Sequence, residues 1–190
     1  MSTLKVNSII PVAGVPTGGG GGIIQVLTNT TQNSTGSVSI NSSRTYFDVP
    51  DQNVTITPTS NTSKVLISFQ QLGEFSTASH SFHFAIERAI SGGSTTTIEG
   101  DIGSDTNKSA VFTMPLLSYQ TTDADTTAEV AHCSNYLDSP ATTSAVTYKI
   151  KVQCHEAITG TYFYNRTVLD NNANHSERGL SWITVMEVSA

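Results

Sequence analysis

The stretch Lys64-Val65-Leu66-Ile67-Ser68-Phe69-Gln70-Gln71-Leu72 decides the fold class. Side chains alternate across a β-strand, so Val65, Ile67, Phe69 and Gln71 share one face. Leu66, Ser68, Gln70 and Leu72 share the other. Pro58 and the turn residues Ser60-Asn61-Thr62-Ser63 precede it.

The same period continues outward in both directions. Ile23-Ile24-Gln25-Val26-Leu27 opens the folded part. Tyr46-Phe47-Asp48-Val49 and Val54-Thr55-Ile56-Thr57 read as two strands, separated by Pro50-Asp51. Phe82, Phe84 and Ile86 alternate with His83, Ala85 and Glu87. Gly92-Gly93-Ser94 then turns the chain, and Thr96 to Ile98 restarts it. Further strands are predicted over 110–118, 130–137, 146–155, 161–165 and 180–188. Tyr148, Ile150, Val152 and Cys154 form an unbroken apolar face, with Lys149, Lys151, Gln153 and His155 expected toward solvent. No helix-period pattern of useful length occurs. About ten short strands with turn punctuation predict an all-β chain, an antiparallel β-sandwich or jelly roll; a β-barrel is the rival fold.

Composition fits a polar-faced β protein. Of 190 residues, 37% are hydrophobic and 13% charged, and Ser, Thr and Asn fill the difference. Thr suits a pleated surface, whereas Ser and Asn suit turns. The net charge of −6 and the scattered Lys and Arg argue against nucleic acid. No apolar run is long enough for a membrane helix, and the N-terminus lacks the pattern of a secretory signal. Cys133 and Cys154 fall in separate predicted strands. They are read as two buried thiols, with a cross-strand disulfide as the alternative.

Residues 1–22 differ from 23–190 and are read as an attachment arm preceding the sandwich domain. Leu4, Val6, Ile9, Ile10, Val12 and Val15 are apolar, and Pro11 and Pro16 interrupt them. Gly18, Gly19, Gly20, Gly21 and Gly22 follow. Five glycines have maximal backbone freedom and no side chain to pack, so they form a hinge. Apolar residues beyond a hinge are expected to bury themselves in a neighbour. Leu4, Val6, Ile9, Ile10 and Val12 are therefore the candidate docking residues.

The search for chemistry gives little. No GxSxG elbow or phosphate-binding glycine loop is present. His80 and His83 are three apart, hence on opposite faces of a strand, and His132, His155 and His175 are isolated. Asp123-Ala124-Asp125 lacks the remainder of a calcium loop. Glu74, Glu87, Glu99 and Glu129 are carboxylates without a motif. No metal, cofactor or enzymatic activity is expected. Sequons such as those at Asn29, Asn33, Asn61 and Asn165 follow from composition and are expected to stay unmodified. In Tyr162-Phe163-Tyr164 one face carries two aromatics and the other one, which leaves a possible interface or sugar contact.

Several segments together resemble a family. They are the opening MSTLKVNSI with its glycine hinge and IIQV, the stretch Tyr46–Ser68, and Leu137-Asp138-Ser139-Pro140-Ala141-Thr142-Thr143-Ser144 leading into Val146–Val152. The ending Ile183-Thr184-Val185-Met186-Glu187-Val188 is the last. The chain resembles short virion structural proteins and fibre modules of marine phages, cyanophages especially. That resemblance implies a β-sandwich or jelly-roll module on the particle exterior, usually a homotrimer, assembled in the host cytoplasm. Its implied partners are further copies of itself and a capsid or tail subunit. Because the sequence stops just after its last strand, a head decoration or short-fibre protein is the leading expectation. A tail fibre that binds a host surface glycan or receptor is the alternative.

Overall fold

The structure, a computed structural model, describes residues 22–31, 35–42, 44–76, 82–100, 110–115, 128–154, 159–174 and 176–189. The docking residues Leu4, Val6, Ile9, Ile10 and Val12, and Gly18 to Gly21 of the hinge, lie outside them. The named strands are β1 (Ile23–Thr30), β2 (Gly36–Ile40), β3 (Phe47–Ile56), β4 (Lys64–Phe75), β5 (Phe82–Ile90), β6 (Thr95–Ile98), β7 (Glu129–Asp138), β8 (Val146–Cys154), β9 (Gly160–Tyr164) and β10 (Trp182–Val188). All pair antiparallel, in two sheets. The fold is an all-β antiparallel sandwich.

The first sheet is organised by β4, the strand read most clearly from sequence. One edge of β4 pairs with β7 along most of its length. The other edge pairs first with β10, over Lys64 to Gln70, and then with β9, over Gly73 to Phe75. Gly73 pairs with both Tyr164 and Glu129, which fixes β9 and β7 on opposite edges. A Cβ at Gly73 would collide with the Phe163 carbonyl oxygen and the Tyr162 ring, so the close approach of β9 requires glycine. Beyond β10 lies β1, and beyond β9 lies β2. The second sheet runs β3-β8-β5-β6.

The core lies between the sheets. Val65, Ile67, Phe69, Ile183 and Val185 point in from the first; Tyr148, Ile150, Val152, Phe84 and Ile86 point in from the second. Removing such side chains from water, at roughly 1.5–3 kcal/mol each, is the main force closing the sandwich. Around Phe82, rings of Phe75, Phe84 and Tyr162 pack with centroids 5.3–6.0 Å apart.

Four sequence expectations change. The two strands read at 46–49 and 54–57 are one continuous β3, with Pro50-Asp51 inside it. The break is still visible as a register shift against β8 between Asp48 and Asn53, where Asp51 takes φ 61°. Pro50 is tolerated because β3 is an edge strand, where a missing donor disturbs no central ladder. A regular strand is not formed over 110–115: Thr113 makes only an isolated bridge to Phe84, and Pro115 supplies no N–H. β2 had no forecast; it is short and gains its pairing from β9. Finally, Gln153 is buried, and Lys151 is largely covered by its ion pairs rather than turned to solvent. His155 lies outside the described residues.

Candidate functional site

The strand that would carry the arm is β1, an edge strand with water on most of its surface. Two side chains of β1 tie it to the body. Gln25 Nε2 donates to Glu187 Oε2 at 2.6 Å and to the Thr57 carbonyl at 2.8 Å. Asn29 Nδ2 donates to the carbonyls of Asp51 and Asn53, at 2.7 and 2.8 Å, within the irregular stretch of β3. That contact joins the two sheets at their edge. Among the hinge glycines Gly22 is described; its carbonyl accepts from Ser189 N–H at 3.1 Å, which places the two ends of the folded body side by side.

Glu187 is the centre of this clamp. Strand alternation puts it on the inward face with Ile183 and Val185, and it is fully buried. Its Oε1 accepts from the Thr59 N–H and the Thr59 hydroxyl, both at 2.7 Å. Burial pushes the carboxyl upward, but hydrogen bonds from Gln25, Thr59 and Ser63 outweigh it and hold the group at about 2. One carboxylate thus binds β10, β1 and the turn between β3 and β4. The sequence reading did not find it. The available signal was a carboxylate at a position whose same-face neighbours, two and four residues before it, are Val185 and Ile183.

A second polar cluster fills the gap where β9 and β10 part along β4. Leaving β9, Asn165 takes φ 60°, and its N–H donates to the Leu72 carbonyl at 2.9 Å. Ser181 Oγ accepts from Leu72 N–H at 2.9 Å and donates to Asn165 Oδ1 at 2.5 Å. The backbone groups freed by the fork are therefore satisfied by side chains. Asn165 also donates to Thr31 Oγ1 at 2.8 Å, as does Gln52 Nε2 at 2.6 Å. Gln71, placed on the inward face by alternation, donates to Ser181 Oγ and Tyr162 Oη.

Charged residues pair across strands. Asp138 of β7 is buried between sheets, accepting from Arg88 Nη1 at 2.8 Å and Tyr148 Oη at 2.7 Å. Burial, then that carboxylate, push the Tyr148 hydroxyl far above its ordinary range. On the outer face of the second sheet, Lys151 pairs with Asp48 and with Glu87, and Lys149 reaches both carboxylates at 3.5 Å. This alternation of sign stabilises the pairing of β3, β8 and β5 modestly.

The other sequence candidates are dispersed. Glu74 Oε2 accepts from Val168 N–H at 2.6 Å, Glu87 joins the lysines, and Glu99 accepts from Tyr46 Oη at 2.6 Å. Burial raises Glu129 to about 7. His83 is buried with its ring edge-on to Tyr46 at 6.3 Å, and His132 is exposed. His80, His175, Asp123 and Asp125 lie outside the described residues. Among the described residues no group of three His, Cys, Asp or Glu is placed to hold a metal. Both cysteines are free thiols: Cys154 is buried and Cys133 half-buried. Tyr162 and Tyr164 point into the core, and the outward Phe163 is covered by the Arg166 guanidinium 4.3 Å from its centroid. That ring is thus not an open platform for a sugar. Of the quoted sequons, Asn165 is buried and Asn29 serves the clamp.

The sequence matches no known family model, and no curated protein matches it.

Proposed function

We propose that this chain is a structural protein of a phage particle: a trimeric exterior module, a head decoration or short fibre, held to a capsid or tail subunit by residues 1–22. The observation that carries the reading is the fixed root of that arm. β1 is locked to β10 and to the β3–β4 turn through Glu187, and to the bulge in β3 through Asn29. A load on the arm therefore passes into both sheets rather than peeling away a loose terminus. Leu4, Val6, Ile9, Ile10 and Val12 supply apolar contact beyond the hinge, as added strand or groove filling. Three arms engaging equivalent sites gain avidity from effective concentration.

The test is deletion of residues 2–17. The truncated protein is expected to stay folded and to assemble with itself, yet to be missing from purified particles. Normal incorporation of the truncation rejects the anchor.

A second reading, a tail fibre or adsorption protein that binds a host surface glycan, is supported by the connectivity. The strand ends Phe75, Phe82, Cys154 and Gly160, joined through 76–81 and 155–159, and Glu129, where β7 begins, lie at the end of the sandwich away from Gly22 and Ser189. Connections that start and finish at one end of a rigid sandwich suit recognition. Adsorption of the isolated protein to host cells, competed by host polysaccharide, would favour this reading.

A further inference from the structure

The outer face of the first sheet carries an apolar row that runs straight across four strands. Val26 of β1 is paired with Met186 of β10, Met186 with Leu66 of β4, and Leu66 with Leu137 of β7. All four alternate with inward residues, so all four point away from the core. Val26 and Leu137, at the two ends, are 53% and 55% exposed. Four strands spaced about 4.8 Å apart make the row about 14 Å wide. Ile24, two residues before Val26 along β1 at its register shift, is also exposed. The next row along the strands, Thr28, Thr184 and Ser68, is made of hydroxyls.

No carboxylate stands in either row, although the chain carries a net charge of −6. The outer face of the other sheet is the opposite case, with Asp48, Glu87, Lys149 and Lys151 already paired among themselves. Identical acidic chains repel wherever like charges face each other. Two rows of apolar side chains and hydroxyls without an acid form the part of the surface on which two copies can meet without that penalty. The far edge of β1 adds to it, since no strand lies beyond β1 among the described residues, and Ile23 is 59% exposed there.

We infer that this face, from Val26 across to Leu137, is the contact between copies of the chain. The inference rests on the trimeric reading above and names the surface that closes it. In a threefold ring the contact is head-to-tail, with the β1 end of one copy against the β7 end of the next.

The experiment is light-scattering mass of the purified full chain and of Val26→Asp/Leu137→Asp, each with a far-UV spectrum. The unaltered chain is expected at three times 20.2 kDa, and the double variant at one times that mass with an unchanged spectrum. A single-copy mass for the unaltered chain, or a trimer that survives the double variant, overturns the inference. A mass of two copies that the variant reduces to one keeps the face and rejects the threefold ring. If the aspartates prevent folding, Val26→Thr/Leu137→Thr keeps a strand-compatible residue at β1 and is expected to weaken association; unchanged association overturns the face. A trimer that persists in the aspartate variant and still enters particles leaves the anchoring reading intact while removing this one.

Discussion

Glu187→Gln probes the arm root directly. The wild-type carboxylate accepts from Gln25, from the Thr59 N–H and hydroxyl, and from Ser63, and is held at about 2 against an ordinary 4.5. A depressed carboxyl contributes stability that is fully present above its unfolded value and lost as pH falls through the folded one. The window is therefore from about pH 4.5 down to about pH 2. At face value the shift corresponds to about 3 kcal/mol, an order-of-magnitude figure. Whichever way the amide turns, its N–H₂ meets a donor, either Gln25 Nε2 or the Thr59 N–H and hydroxyl, so a loss of similar order is expected at pH 7. For a domain of this size each kcal/mol lowers Tm by roughly 2–4 °C. The assay is thermal and urea unfolding of both proteins at pH 7, 4 and 2.5, with hydrogen exchange on β1. The gap between the two proteins should be widest at pH 7 and shrink toward pH 2.5, and β1 amides should lose protection first in the variant. Asp48 and Asp170 titrate alike in both proteins and cancel in the difference. A gap that does not change with pH would refute the clamp.

Two further outcomes follow from buried groups. Tyr148→Phe removes the donor to Asp138 Oδ2 while keeping the ring, and is expected to destabilise by about 1–3 kcal/mol in urea unfolding, because a buried carboxylate oxygen loses its partner. Cys154 is buried, with its thiol pushed up to about 11, so a thiol reagent at pH 8 should leave it unmodified in the native protein and label it on unfolding. Rapid native labelling at Cys154 would contradict its place in the core.

Much of the sandwich is legible from alternation alone. Val65, Ile67 and Phe69 share one face as read, and that face is the buried one; Tyr148, Ile150, Val152 and Cys154 form the apolar face read for β8 and are buried, because a buried face must repeat every second residue. Period does not report what covers the other face. Lys151 and Gln153 sit opposite a buried row, yet one is sheltered by Asp48 and Glu87 and the other lies in the interior.

What the sequence by itself determined is local: strand period, inward faces, turns, and a glycine run dividing an apolar segment from the domain. Only the tertiary structure decided how strands share edges. It made β3 continuous through Pro50, completed β2 against β9, and split one edge of β4 between β10 and β9. It also decided that Glu187 is inward and ionised, because its donors at positions 25, 59 and 63 lie far away along the chain. The physical reason is range. Side-chain alternation is set by neighbouring residues, whereas edge partners, hydrogen-bond donors to a buried acid and the exposed row from Val26 to Leu137 exist only once distant strands lie side by side.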